Sequence, residues 1–267
     1  MTMCRLGGIR RTIPCPPRRN PRTTTEGSSD DRAKDLTMTT ATVLQPDTAP
    51  DARPYHERYK HQPHWRNNED EFEGAKIGMW LFLATELLLF SGFFCAYAVL
   101  RMWHPEAFRG AAEHYLDWRI GAINTAILLV SSFTVAWGVR CAQLGKKWGI
   151  VANYTFSALC GVAFLALKLL LEYFPKIQKG ELPAGLFHYP HGEDAYEPIF
   201  LSVYWVATAT HGLHVLIGVF LLLWIAWGAV RDRYGPNHYT AVENVGLYWH
   251  LVDLIWIFLF PLLYLVP

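Results

Sequence analysis

Residues 204–230, YWVATATHGLHVLIGVFLLLWIAWGAV, and residues 244–256, NVGLYWHLVDLIW, decide how this chain folds. Each belongs to an apolar run long enough to cross a bilayer, which takes ~20 helical residues for about 30 Å of hydrocarbon. Yet His211 and His214 interrupt the first run, and His250 and Asp253 the second. An Asp at the middle of a membrane span costs about +2.5 to +3.5 kcal/mol on insertion scales, so it needs a partner or a purpose. These residues are the first candidates for function.

The rest of the composition agrees with a membrane protein. The 267 residues are 52% hydrophobic, 15% aromatic and only 18% charged, and the apolar excess is concentrated in separate windows. A net charge of +1 argues against a nucleic-acid surface, which needs a strong basic excess. The five cysteines (Cys4, Cys15, Cys95, Cys141 and Cys160) form no CxxC pair, so neither a disulfide framework nor a zinc site is expected.

Residues 1–73 have no hydrophobic period and are expected to form a polar, disordered tail. Arg10 and Arg11 make a twin arginine, but no apolar core follows it, so no signal peptide is expected. The stretch before Met38 is so unlike a folded segment that translation is expected to begin there. An intact mass that retains Met1 would reject that start. The acidic run of Glu69, Asp70, Glu71 and Glu73 reads as a solvated approach to the membrane.

Five spans follow, at about 77–100, 120–139, 150–174, 199–230 and 244–266. The first carries a single charge, Glu86, and leaves the bilayer at Arg101, Trp103 and His104. The second is uncharged and holds Asn124, Thr125, Ser131 and Ser132, small or hydroxylated side chains suited to a face that packs on other helices. In the third, Lys168 and Glu172 are expected to snorkel toward water near the far end, and Pro175 to stop the helix. The fold class is therefore all-α, an integral bundle of five transmembrane helices.

Five spans put the two ends of the bundle on opposite sides of the membrane. Basic residues on the tail side (Arg58, Lys60, Arg66, Lys76, Arg140, Lys146, Lys147, Arg231, Arg233) outnumber those opposite (Arg101, Arg109, Arg119, Lys176, Lys179) roughly two to one. The positive-inside rule then makes the tail cytoplasmic and the C-terminus external.

Depth follows from a rise of about 1.5 Å per helical residue. Measured from the inner ends of their spans, Glu86 and Asp253 lie at roughly 13 Å, His250 at roughly 9 Å and His214 at roughly 20 Å. His211 and His214 share one helical face, as do His250 and Asp253, since each pair is three residues apart. Facing lipid would strand them, so they should turn inward or toward a companion subunit. Three readings stand. The groups satisfy one another and lock the bundle, or they bind a metal or haem, or they line a pocket for a polar ligand, a lipid head group or protons. The second lacks HExxH, CxxCH and a further histidine pair at matching depth. A lone buried carboxyl such as Glu86 favours its neutral form unless a cation stands close, which suits a titrating group.

The same segments resemble a known family. The sequences VYWVATATHGLHVLIGVF and ENVGLYWHLVDLIWIFLFPLLYL are similar to the closing helices of subunit III of haem-copper respiratory oxidases. TELLLFSGFFCAY resembles the family's helix with the intramembrane Glu, INTAILLVSS its neighbour, and LLLEYF the end of the next. The resemblance covers residues 74–266 and corresponds to the five-helix bacterial form, without the first two helices of the seven-helix type. It carries over to Glu86, His211, His214, Glu243, His250 and Asp253 as an intramembrane polar cluster, a lipid or proton site.

What the resemblance implies is an accessory subunit of a cytochrome c oxidase in a bacterial inner membrane. It would have no catalytic residue, haem or copper of its own. It would pack on the catalytic subunit I, which would carry haem and copper, bind phospholipid and sustain proton uptake during aerobic electron transport and proton pumping. A quinol oxidase subunit and the accessory protein of nitric oxide reductase are alternatives within the same likeness. A stand-alone proton-coupled transporter is the alternative from another class. It predicts internal repeats and broken helices, whereas no repeat is visible and Pro261 is the only proline inside a span.

Overall fold

The computed structural model describes residues 55–60, 63–180 and 197–265; the first 54 residues, including Met38, lie outside the described residues. Five helices in it are long and apolar enough to cross a membrane. A single turn, α1 (Tyr55–Arg58), precedes the first of them, α2 (Asn68–Trp103). The acidic run forms the start of α2, ahead of the apolar part of the helix. The Asn67 side chain accepts from the Asp70 N–H at 2.7 Å and caps the helix, while Glu69, Asp70 and Glu71 sit in the first turn, where the helix dipole favours negative charge.

Pro105 then opens α3 (Pro105–Tyr115), a short helix that sequence periodicity did not suggest. It buries Ala107, Phe108, Ala111 and Ala112, and packs on α7. The second span is α4 (Trp118–Gln143), capped by Asp117, and a tight turn with Gly145 at φ +70° leads into α5 (Lys147–Leu167). The expected stop at Pro175 does not occur. The helix widens into a π turn at Lys168–Tyr173 and continues as α6 (Phe174–Lys179). The widened turn just before Pro175 lets the helix continue past a residue that has no N–H to give. Gly180, at φ +79°, ends the helix in the left-handed conformation.

The fourth span is α7 (Glu197–Val230), and the fifth is α8 (Thr240–Phe260), extended by a second π turn at Pro261–Leu265. The loop between them lies at the same end of the bundle as α1, the tail-side end. There His56 Nδ1 lies 3.3 Å from the Asp232 carbonyl, and the Tyr59 ring stacks on His238 with centroids 3.9 Å apart.

Within the bundle α5 packs most closely on α4 and α7, and α8 lies against α4 and α7. The centre is Trp249. Its indole rests on Gly161 of α5 and Gly218 of α7, where an added Cβ would come within 2.7 Å of the ring. Its Nε1 donates to Ser131 Oγ of α4 at 3.0 Å, and Trp256 Nε1 donates to Thr125 Oγ1 at 3.1 Å. The hydroxyls of the second span thus face its neighbours and give the buried indoles the acceptors they need. By contrast α2 sits at the edge, touching α7 and α8, and leaves Trp80, Leu81, Leu88 and others exposed. Exposed apolar rows of this length match hydrocarbon, not water.

Candidate functional site

Glu86 of α2 and His214 of α7 meet at the edge of the bundle, with Oε2 and Nε2 2.8 Å apart. On its other side His214 Nδ1 lies 2.7 Å from the Thr210 carbonyl. A carbonyl can only accept, so Nδ1 carries a proton and Nε2 is left to face the carboxyl. Two forms fit: carboxylate with imidazolium, or carboxylic acid with neutral imidazole. Both hold one proton between the residues, and both leave the pair without net charge. Phe90 meets the imidazole edge-on at 5.3 Å, and the Tyr248 hydroxyl donates to the His214 carbonyl at 3.1 Å.

The pair forms the polar floor of a cavity of about 350 Å³ whose other walls include Met79, Phe82, Ile217 and Leu221. Helices α2, α7 and α8 all contribute to it. A mostly apolar cavity with one ionisable pair can hold a chain-like apolar ligand and offer hydrogen bonds at one point.

The remaining candidates do not join this pair. Glu243 is bound to Lys76 of α2 at 2.8 Å, near the tail-side end. His250 Nδ1 lies 2.7 Å from Ser132 Oγ of α4. His211, 1% exposed, is stacked on Trp256 with centroids 5.1 Å apart and meets Phe164 edge-on, and neither ring nitrogen has a hydrogen-bond partner among the described residues. Asp253, 2% exposed, also has both oxygens unpartnered. It stands three positions after His250 along α8, and Ser132 stands close to it. The six candidates therefore occupy four separate settings. Among the described residues, no group of three His, Cys, Asp or Glu is placed to hold a metal ion.

A second polar cluster lies where snorkelling side chains were expected. Lys168 and Glu172 are buried, 5% and 4% exposed, and paired with each other rather than with water. The Tyr204 hydroxyl donates to Glu172 at 2.7 Å and the Tyr264 hydroxyl at 2.8 Å, while the Lys168 ammonium reaches both tyrosines and lies over the Trp256 ring. Lys176 is buried beside them, its ammonium 4.8 Å from the Tyr204 ring centroid. Four groups satisfy one another here, so reaching water would gain little. The legible signal was the opposite charges at i and i+4, which also fits two solvated side chains; the tyrosines come from helices far away in sequence.

Fold and site together define a multi-pass integral membrane protein with polar pairs between its helices. The chain belongs to the cytochrome c oxidase subunit III family, whose model, described as Cytochrome c oxidase subunit III, matches residues 64–266. Accessory subunits of haem-copper oxidases make up this family. A cytochrome c oxidase subunit 3 from Thermostichus vulcanus is 34% identical over 195 residues, covering 71% of this chain and 86% of that protein. A probable cytochrome c oxidase subunit 3 from Nocardia farcinica is 31% identical over 197 residues, covering 72% and 88%. A heme-copper oxidase subunit I+III from Aeropyrum pernix is 35% identical over 220 residues, covering 76% of this chain and 24% of that larger protein.

Proposed function

We propose that this chain is the accessory subunit III of a cytochrome c oxidase, holding no redox centre and packing on the catalytic subunit I, which carries haem and copper. The observation behind this reading is the Glu86 and His214 pair, held at 2.8 Å by two helices at the floor of an apolar cavity within a subunit III bundle. The cavity receives an acyl chain of a phospholipid, and the pair serves as a proton-exchanging group that helps sustain proton uptake. The Aeropyrum relative, in which subunits I and III share one name, supports a partnership with subunit I. The tail-side end is cytoplasmic and the C-terminus external in a bacterial inner membrane, in keeping with the basic residues of the tail-side loops.

Purification in mild detergent, with subunit identification, an optical spectrum and lipid mass spectrometry, tests the reading. Co-purification with a subunit bearing haem and copper, and retention of phospholipid that His214→Leu loses, is the expected result. A chain that purifies alone, or one that carries its own haem bands, would refute it.

A further inference from the structure

The seam between α2 and α8 contains two cavities. One is the cavity of about 350 Å³ floored by Glu86 and His214. The other, of about 450 Å³, lies at the tail-side end between the segment around Tyr59, the start of α2 and the start of α8. Its walls mix apolar surface from Phe72, Ala75 and Ala241 with polar side chains, among them Asn68, Glu69, Glu71, Asn237, His238 and Thr240. One polar residue, Asn244, lines both. Its Oδ1 is buried and has no hydrogen-bond partner among the described residues.

An amide oxygen buried without a partner calls for a water molecule, and a cavity of this size with several polar side chains in its walls has room for more than one. Apart from the pair, Asn244 and Tyr248, the inner cavity is lined by apolar side chains such as Met79, Phe82, Ile217 and Leu221. Asn244, shared by both cavities, marks the polar way in along the seam. We propose that Asn244 is the throat of a water path by which the Glu86 and His214 pair exchanges its proton with the aqueous phase at the tail-side end.

The exchange needs no co-reactant. One proton leaves the pair for water as another enters from water, so the charge of the pair is unchanged. Asn244 suits the task because its amide both donates and accepts, and Tyr248, one turn further along α8, lines the inner cavity with its hydroxyl held on the His214 carbonyl at 3.1 Å. The titratable groups that face the path are few. Lys76 and Glu243 neutralise each other beside it, Glu71 accepts from the Tyr59 hydroxyl at 2.7 Å, Glu69, His238 and Tyr239 line the outer cavity, and His211 lies one turn farther from the tail-side end than His214 on α7. The pair is therefore the first exchangeable site that water reaches inside the bundle along this seam.

The proposal rests on the proton role given to the pair above, and the experiment separates the two. The full-length chain with its co-purifying subunits, in lipid nanodiscs, is moved from H2O to D2O, and the infrared bands that vanish in Glu86→Gln are followed in time. Asn244→Leu should slow their shift at least tenfold, and Asn244→Ser, which keeps a hydrogen-bonding group, should restore it. Ala75→Leu, which fills the outer cavity without removing a polar group, should slow it as well, and serves if Asn244→Leu does not fold. Wild-type rates in both the Leu variants would overturn the path while leaving the pair's proton role intact. Bands that never shift in the wild-type protein would overturn both.

Discussion

Glu86 of the edge helix α2 meets the His214 imidazole of α7 with its carboxyl 2.8 Å from Nε2, and Thr210 fixes the ring from behind. Removing one partner leaves a partly buried carboxyl facing only hydrocarbon. His214→Leu should therefore destabilise the protein by about 1–3 kcal/mol, the cost of an unsatisfied buried polar group. Replacing both residues by Leu should recover most of that. Thermal unfolding in detergent measures both, and equal losses in the single and double variants would contradict the pairing. Haem bands of any assembled complex should not change.

Trp249 and the glycines beneath it form a fit with no spare room. Gly218→Ala places a methyl 2.7 Å from the indole, and overpacking of this kind costs about 1–3 kcal/mol. Trp249→Phe leaves a cavity when made alone, but should partly relieve Gly218→Ala in the double variant. Additive losses in that thermal-unfolding cycle would mean that the two sites do not touch.

Lys168 and Glu172 form a buried charge pair, and breaking such a pair from one side costs about 3–5 kcal/mol, because the other charge remains. Lys168→Met should lose that much. Lys168→Met with Glu172→Leu should lose clearly less. If the single variant unfolds at the wild-type temperature, water reaches the cluster after all.

The contact of α1 with the tail-side loop should weaken in acid. Burial is the main cause that holds the His238 imidazole below its ordinary range, with Glu71 opposing it and His56 adding to it. A histidine with a depressed folded value binds fewer protons folded than unfolded. Its contribution is present above the unfolded value of about 6.5 and declines as the pH falls from there toward the folded value. Limited proteolysis at Lys60 should accelerate between pH 7.5 and pH 5, and His238→Phe, which keeps a ring against Tyr59, should flatten that dependence. The same cleavage rate at both pH values would exclude the histidine as the cause.

Long apolar runs made the five helices legible, since length and hydropathy alone decide whether a segment can span hydrocarbon. Which polar residues would meet was far less so. Sequence spacing places His211 and His214 on one face, but it does not reveal that Phe90 and Trp256 wall the first off while Glu86 meets the second. Depth estimates put Glu86, His250 and Asp253 in one layer, yet a layer contains many azimuths, and Ser132 and Lys76 claimed His250 and Glu243. Lys168 and Glu172 were misjudged because their tyrosine partners lie 36 and 92 residues further along the chain.

The π turn at Lys168–Tyr173 has one further effect. A helical wheel drawn through residues 147–179 assumes a constant 100° step, and an extra residue in one turn shifts every later position by about that angle. Wheel plots of this span therefore assign Lys176 to the wrong compass bearing. A single-residue deletion inside the turn would restore an unbroken spiral and leave Lys176 where it is, whereas drawing the full-length segment into a regular α-helix would swing Lys176 round by about 100°.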